Sequence, residues 1–209
     1  MENKSAAVSS LDYIRLHSSN PKSIHFACNV LKNGGIIVYP TDTIYGFGCD
    51  ARNDKAILNL NKIKRRSGPM SVLIDSIKNS KNWMKISARS KQEAEYRLKK
   101  GGTIIVPVRE NIVSNLITGR PLTLGMRVAK NTFCKNLLKA YGKPITSTSV
   151  NRSGSIPHVD PDEIENEFKS EINMLIENNR IIGTASKIFK LKNNKWTVIR
   201  KWIDIFMQF

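Results

Sequence analysis

Segments with an apolar residue every three to four positions alternate along the chain with short runs that are apolar throughout or at every second position. Residues 1–20 read as a polar lead-in, with Leu11, Tyr13, Ile14 and Leu16 the residues able to tie part of it down. Pro21 to Asn33 has helical spacing, with proline near its start and Gly34-Gly35 as its stop. The run IIVY (36–39) reads as a buried strand, and Thr43 to Cys49 as a second extended run. Asn53 to Arg65 reads as a helix with Ala56, Ile57, Leu60 and Ile63 on one stripe. Further strands are predicted at 71–74, 103–108, 123–129 and 144–149, with helices over 88–100 and 131–141. Pro161 to Asn178 reads as one or two helices, and 180–203 as strands joined by a turn at Asn193-Asn194. Helices and strands alternate and strands cluster late. That predicts an α/β fold over 21–209, a single twisted mixed β-sheet with flanking helices.

Three strands carry polar groups where a plain core strand would not. Side chains at i, i+2 and i+4 share a face. In PTDTIYG (40–46) one face reads Thr41, Thr43, Tyr45; in TSTSVN (146–151) one face reads Ser147, Ser149, Asn151. Both segments follow apolar stretches, where ligand sites of α/β proteins lie. The same hydroxyls also serve as ordinary caps and turn residues. In TLGMRVA (123–129), Leu124, Met126 and Val128 form the core face, which sets Thr123, Gly125 and Arg127 on the other. There Arg127 meets an anion or simply faces water. In the late strand, Arg200 shares a face with Trp196, Val198 and Trp202, the arrangement of a stacking pair. Lys64-Arg65-Arg66 closes the second helix either as a solvated end or, if the chain is extended there, with Lys64 and Arg66 pointing the same way to capture phosphate.

Composition narrows the classes. With 209 residues, 40% hydrophobic and 24% charged, the chain is neither disordered, collagen-like nor a coiled coil. No run approaches the roughly 18 apolar residues of a membrane span, and the start, MENKSAAVSS, has no apolar signal core. A cytoplasmic location is therefore expected, with no membrane partner. Cys28, Cys49 and Cys134 form no CxxC pair, and His17, His25 and His158 are scattered, so no protein-built metal site is expected. The formal charge of +17 points to polyanionic partners, or to a lysine-rich surface set by compositional bias.

The segments GGIIVYPTDTIYGFGCD (34–50), LNKIKRRSGPMSVLI (60–74), LGMRVAKN (124–131) and YGKPITSTSVNRSG (141–154) occur in this order. With them the chain resembles the YrdC family of threonylcarbamoyl-AMP synthases from about Pro21 to Trp202. The resemblance implies a concave basic cavity on the sheet. It also implies synthesis of L-threonylcarbamoyl-AMP from L-threonine, bicarbonate and ATP, with pyrophosphate released. The product would feed N6-threonylcarbamoylation of adenosine 37 in tRNAs reading ANN codons, through a separate transferase complex. The chain looks like the short form of the family. Carried over by position, Lys64 and Arg66 are the catalytic pair on the ATP phosphates. Thr123, Ser149, Asn151 and Arg200 go to the nucleotide. Thr43, Arg127, Ser147 and Ser186 go to threonine. Mg²⁺ is expected mainly through the phosphates, with Asp42 the nearest protein candidate. The alternative is a basic RNA- or tRNA-binding protein on the same fold without adenylation. Four departures from the family pattern stand out: a link after Arg66 shortened by about two residues, Leu73 where some members have a polar group, Ser186-Lys187-Ile188 for the late Ser-Thr-Ile/Val pattern, and Val150 for alanine.

Overall fold

The structure, a computed structural model, describes residues 13–200 and the backbone of 203–204. Strand β1 (Ile14–His17) is followed by α1 (Ser23–Lys32), β2 (Ile37–Pro40), β3 (Tyr45–Gly48), α2 (Asp54–Ile63), β4 (Ser71–Ile74) and a one-turn α3 (Ile77–Ser80). Then come α4 (Ala88–Lys99), β5 (Thr103–Pro107), β6 (Thr123–Val128), α5 (Thr132–Tyr141), β7 (Ile145–Ser149) and α6 (Pro161–Phe168). The last strands are β8 (Met174–Glu177), β9 (Thr184–Ala185), β10 (Ile188–Lys192), β11 (Lys195–Arg200) and β12 (Ile203–Asp204). The main sheet has ten strands in the order β1-β8-β2-β3-β7-β4-β6-β5-β10-β11, with parallel and antiparallel neighbours, and β9 pairs β12 beside it. Among the described residues no helix is long and apolar enough to cross a membrane.

Period-two alternation divides the sheet into two apolar faces. Val38, Phe47, Val72, Ile104, Val106, Leu124, Met126 and Leu175 pack under α2, α4 and α6. Ile37, Tyr39, Leu73, Ile145, Met174 and Ile176 pack under α1 and α5. The first face is covered along most of its width. The second is covered only over one part, because two helices cannot span ten strands lying about 4.8 Å apart. On the uncovered part, the residues that continue the α1/α5 face are Ser71, Thr103, Ile105, Arg127, Ser147 and Ser149.

The lead-in is tied down where Tyr13, Ile14 and Leu16 fall, since β1 pairs parallel with β8 as an edge strand and these side chains pack on the core; residues 1–12, and with them Leu11, lie outside the described residues. One expectation needs correction. Within 161–178 there is one helix, and Met174–Glu177 is a buried parallel strand between β1 and β2. A four-residue apolar run has no period that separates strand from helix. The Asn193-Asn194 turn is present, with both residues at positive φ (50° and 57°), as a two-residue hairpin needs.

Candidate active site

The uncovered part of the sheet forms the floor of a cavity of about 320 Å³. Nine of the ten expected site residues line it: Thr43, Lys64, Arg66, Arg127, Ser147, Ser149, Asn151, Ser186 and Arg200. No carboxylate is among the lining residues. Thr123 is the exception. The Gly119–Thr123 turn, bonded both ways through its backbone, folds over it and keeps it out of the cavity. Leu73 is buried under α1 and α5, so its departure from a polar residue leaves the cavity unchanged.

Strand β3 begins at Tyr45, so Thr41 to Ile44 is a loop and not one face of a strand. Thr41 organises it. Its Oγ1 accepts from the backbone N–H of Thr43 and Ile44, donates to the Ile44 carbonyl and meets Thr43 Oγ1 at 3.0 Å. The crossing segment from β8 to β9 closes over this loop. A Cβ on Gly183 would stand 1.7 Å from the Thr43 carbonyl oxygen, so only glycine fits that approach. The Tyr45 hydroxyl holds the start of the segment through Asn178 and Asn179.

The cations fall into two pairs. At one end, α2 stops at Lys64 with the Arg65 N–H bonded to the Lys62 carbonyl and the Arg66 N–H to the Asn61 carbonyl, the Schellman pattern. Arg65 therefore takes the left-handed conformation (φ 51°) usually left to glycine. The chain is not extended here. The left-handed residue between them is what brings Lys64 and Arg66 to one cavity while Arg65 stays exposed. Lys64 is only 2% exposed, and its Nζ donates to the carbonyls of Ser149 and Asn151 and to Asn151 Oδ1 at 2.7–3.0 Å. Burial, with the Arg66 charge, pushes its pKa down to about 7. Burial also lowers Arg66, whose buried Nε has no partner. Ser149 donates to Asn151 Oδ1, and Asn151 Nδ2 to the Ser155 carbonyl, so the exit of β7 is held on all sides.

Arg65→Gly should relieve the left-handed strain and raise stability by up to about 1 kcal/mol. Urea unfolding reads this as a higher midpoint at constant slope. A lower midpoint would mean that the arginine side chain contributes more than the strain removes.

At the other end, Arg127 is buried, donates to the Gly101 carbonyl at 2.7 Å and to Asp42 Oδ2 at 2.6 Å, and leaves its Nε without a partner. Asp42 is thus the counter-ion of Arg127. Among the described residues no group of three or more His, Cys, Asp or Glu is placed to hold a metal ion. Arg200 donates through Nε and Nη2 to the Ser186 carbonyl, and Ser186 Oγ pairs with Thr103 Oγ1. Burial and the nearby Arg127 charge both lower the Arg200 pKa. Arg200 therefore stands with Arg127 and Ser186, not with the Lys64 end. Among the described residues Arg200 does not stack on tryptophan, since Arg97 occupies the face of Trp196 at 4.4 Å; Trp202 lies outside the described residues.

Sequence reasoning missed Thr103 and Ser71, which also line the cavity. A signal was present. Ser71 is two residues before Leu73, and its neighbour Gly125 has no room for a side chain: a Cβ there would stand 2.4 Å from Ser71 Oγ. Ser71 pairs with Gly125 on one side and Ser147 on the other, so three small residues abut on adjacent strands and open the floor.

A mixed sheet left bare over a cation-lined cavity defines the class of the protein, and comparison with known proteins gives its family. A family model for Sua5, YciO and YrdC, described as telomere recombination, matches residues 29–201. The chain is 32% identical over 149 residues to a threonylcarbamoyl-AMP synthase of Aliivibrio fischeri, covering 69% of this chain and 80% of that protein. The chain belongs to the Sua5/YciO/YrdC family. Its fold is that of E. coli YciO (TM-score 0.78, 24% identity, 92% of this chain and 95% of that one). It is also that of P. abyssi Sua5 complexed with L-threonine (TM-score 0.81, 22% identity, 91% of this chain). The chain spans 57% of the length of that Sua5 chain.

Proposed function

We propose that this protein makes L-threonylcarbamoyl-AMP from L-threonine, bicarbonate and ATP, releasing pyrophosphate, for N6-threonylcarbamoylation of adenosine 37 in tRNAs reading ANN codons. The observation that carries this reading is the pairing of like charges. Burial and the Arg66 charge lower Lys64, burial lowers Arg66, burial and the Arg127 charge lower Arg200, and each pair faces one cavity with hydroxyls between. Buried like charges persist when an anion joins them. A triphosphate at one end and an amino-acid carboxylate at the other meet that demand. The threonylcarbamoyl-AMP synthase name of the relative and the threonine in the Sua5 complex support the same assignment.

In this reading Arg127, held by Asp42, takes the threonine carboxylate, with Thr43, Ser147 and Ser186 around the amino acid. Arg66 offers its guanidinium to phosphate oxygen, and Lys64 adds positive potential while holding Ser149 and Asn151 in place. The threonine amine nitrogen bonds the bicarbonate carbon as water leaves, giving a carbamate. A carbamate oxygen then attacks the α-phosphorus, the bond to the bridging oxygen breaks and pyrophosphate departs. Each step gathers negative charge, and prearranged cations stabilise it without a side-chain nucleophile. Among the described residues the cavity lining carries no carboxylate and Asp42 is engaged, so these residues do not fit a protein-held ion. Mg²⁺ belongs to the ATP as substrate. The product passes to a transferase complex in the cytoplasm, and the +17 charge favours direct tRNA contact along the way.

Pyrophosphate release by the purified protein, with and without L-threonine and bicarbonate, tests the reading. Release that needs both supports it. A folded protein with no such release that binds RNA with steep salt dependence would put the RNA-binding reading in its place.

A further inference from the structure

We infer that Arg152 is a positioning residue for the Lys64–Arg66 turn, tying the phosphate end of the cavity to α6; the inference rests on the ATP-binding reading above. Arg152 sits in the loop after β7, outside the cavity lining. Its guanidinium donates in three directions. Nη1 reaches the carbonyl of Ile63 at 2.5 Å, the last residue of α2. Nε reaches Glu167 Oε1 at 3.0 Å, and Nη2 reaches Glu171 Oε2. The guanidinium carbon lies over the Phe168 ring, 4.6 Å from its centroid, and Phe168 is itself fully buried in the core. One backbone bond completes the bracket: the N–H of Ser153 donates to the Lys64 carbonyl at 2.9 Å.

An ordinary surface ion pair would not look like this. Exposed pairs hold long side chains loosely and add little. Here the arginine side chain is 19% exposed, stacked on a core aromatic and bonded to a helix-end carbonyl. A planar fork can make those contacts together; a point-charge ammonium cannot. The carbonyl it takes belongs to the residue before Lys64. Lys64 returns the contact through its three bonds to Ser149 and Asn151. The turn and the β7 exit thus hold each other, and Arg152 fastens both to α6. The Arg127 end shares none of these bonds, being held by Asp42 and Gly101.

The asymmetry gives a test on the full chain. In Arg152→Met, KM for ATP in pyrophosphate release rises about tenfold while KM for L-threonine stays within twofold. Glu171→Gln, a milder change on an exposed carboxylate that serves if the first variant does not fold, shifts ATP the same way by a smaller factor. Arg152→Lys does not rescue. Equal shifts in both KM values, no shift in either, or rescue by lysine would overturn the inference. If the wild-type protein releases no pyrophosphate, the functional reading fails, and the clamp is judged separately by ¹⁵N NMR of the Lys64 amine. Its titration midpoint then moves up toward the ordinary lysine range in the variants as water reaches the loosened turn. An unmoved midpoint overturns the clamp.

Discussion

In Arg127→Met, threonine-dependent pyrophosphate release falls at least ~100-fold, and the loss appears mainly in the affinity for threonine. A charge-assisted bond to a carboxylate inside a partly dry cavity is worth about 3 kcal/mol, and each 1.36 kcal/mol is a factor of ten. The guanidinium already has two of its nitrogens engaged by Gly101 and Asp42, which aims the group and leaves the side of the fork that lines the cavity for substrate. The substitution also strands Asp42, so the fold loses a few kcal/mol as well. The two effects separate in the double variant Asp42→Asn/Arg127→Met. Urea unfolding shows recovery of stability there, and calorimetry with threonine shows no recovery of binding. Undiminished threonine affinity in Arg127→Met would remove the residue from the substrate site and leave it a structural ion pair.

Lys64→Met abolishes the proton uptake that accompanies ATP binding above neutral pH, and lowers ATP affinity ~10–100-fold at pH 7. In the free protein the Lys64 pKa is pushed down to about 7, first by burial and then by the Arg66 charge. Triphosphate in the cavity favours the ammonium and raises the value in the complex. Between about pH 7 and the raised value the complex holds one more proton than the free protein. ATP affinity therefore falls as pH rises through that window, by up to tenfold per pH unit, and a proton is taken up on binding. Below about pH 7 the ammonium is present in both states, and this group adds no pH dependence. Calorimetry at pH 8 in buffers of different ionisation enthalpy reads the uptake directly. The Lys64→Met variant accounts for titration of ATP itself. A wild-type protein with no more uptake than the variant would show that the three carbonyl acceptors keep Lys64 charged throughout, with a role confined to the β7 exit.

Much of this molecule was legible in its pattern of residues. The alternation in 123–129 placed Leu124 and Met126 in the core and Arg127 on the opposite face, and both parts hold. The two hydroxyl-rich segments end in the cavity because their polar residues follow apolar strands that run out from under their covering helices. The left-handed Arg65, by contrast, could not be read. The sequence there is Lys-Arg-Arg, and the conformation is imposed by the closing bonds of the α2 terminus. The reading of 174–177 as helix failed for a similar reason: the run MLIE becomes a strand because β1 and β2, more than 130 residues away in sequence, offer it parallel edges on both sides.

The sequence by itself determined the alternating α/β order, the two-faced strands and the motif residues, since each depends on periodicity or on residue type within a few positions. Tertiary structure alone decided which cations share an end of the cavity. It also decided that Asp42 answers Arg127, that the Gly119–Thr123 turn removes Thr123, and that Arg152 binds the Lys64 turn to α6. Those outcomes depend on strand order and on contacts across 80 or more residues for two of the pairings, and no local pattern encodes which distant partner a buried charge will meet.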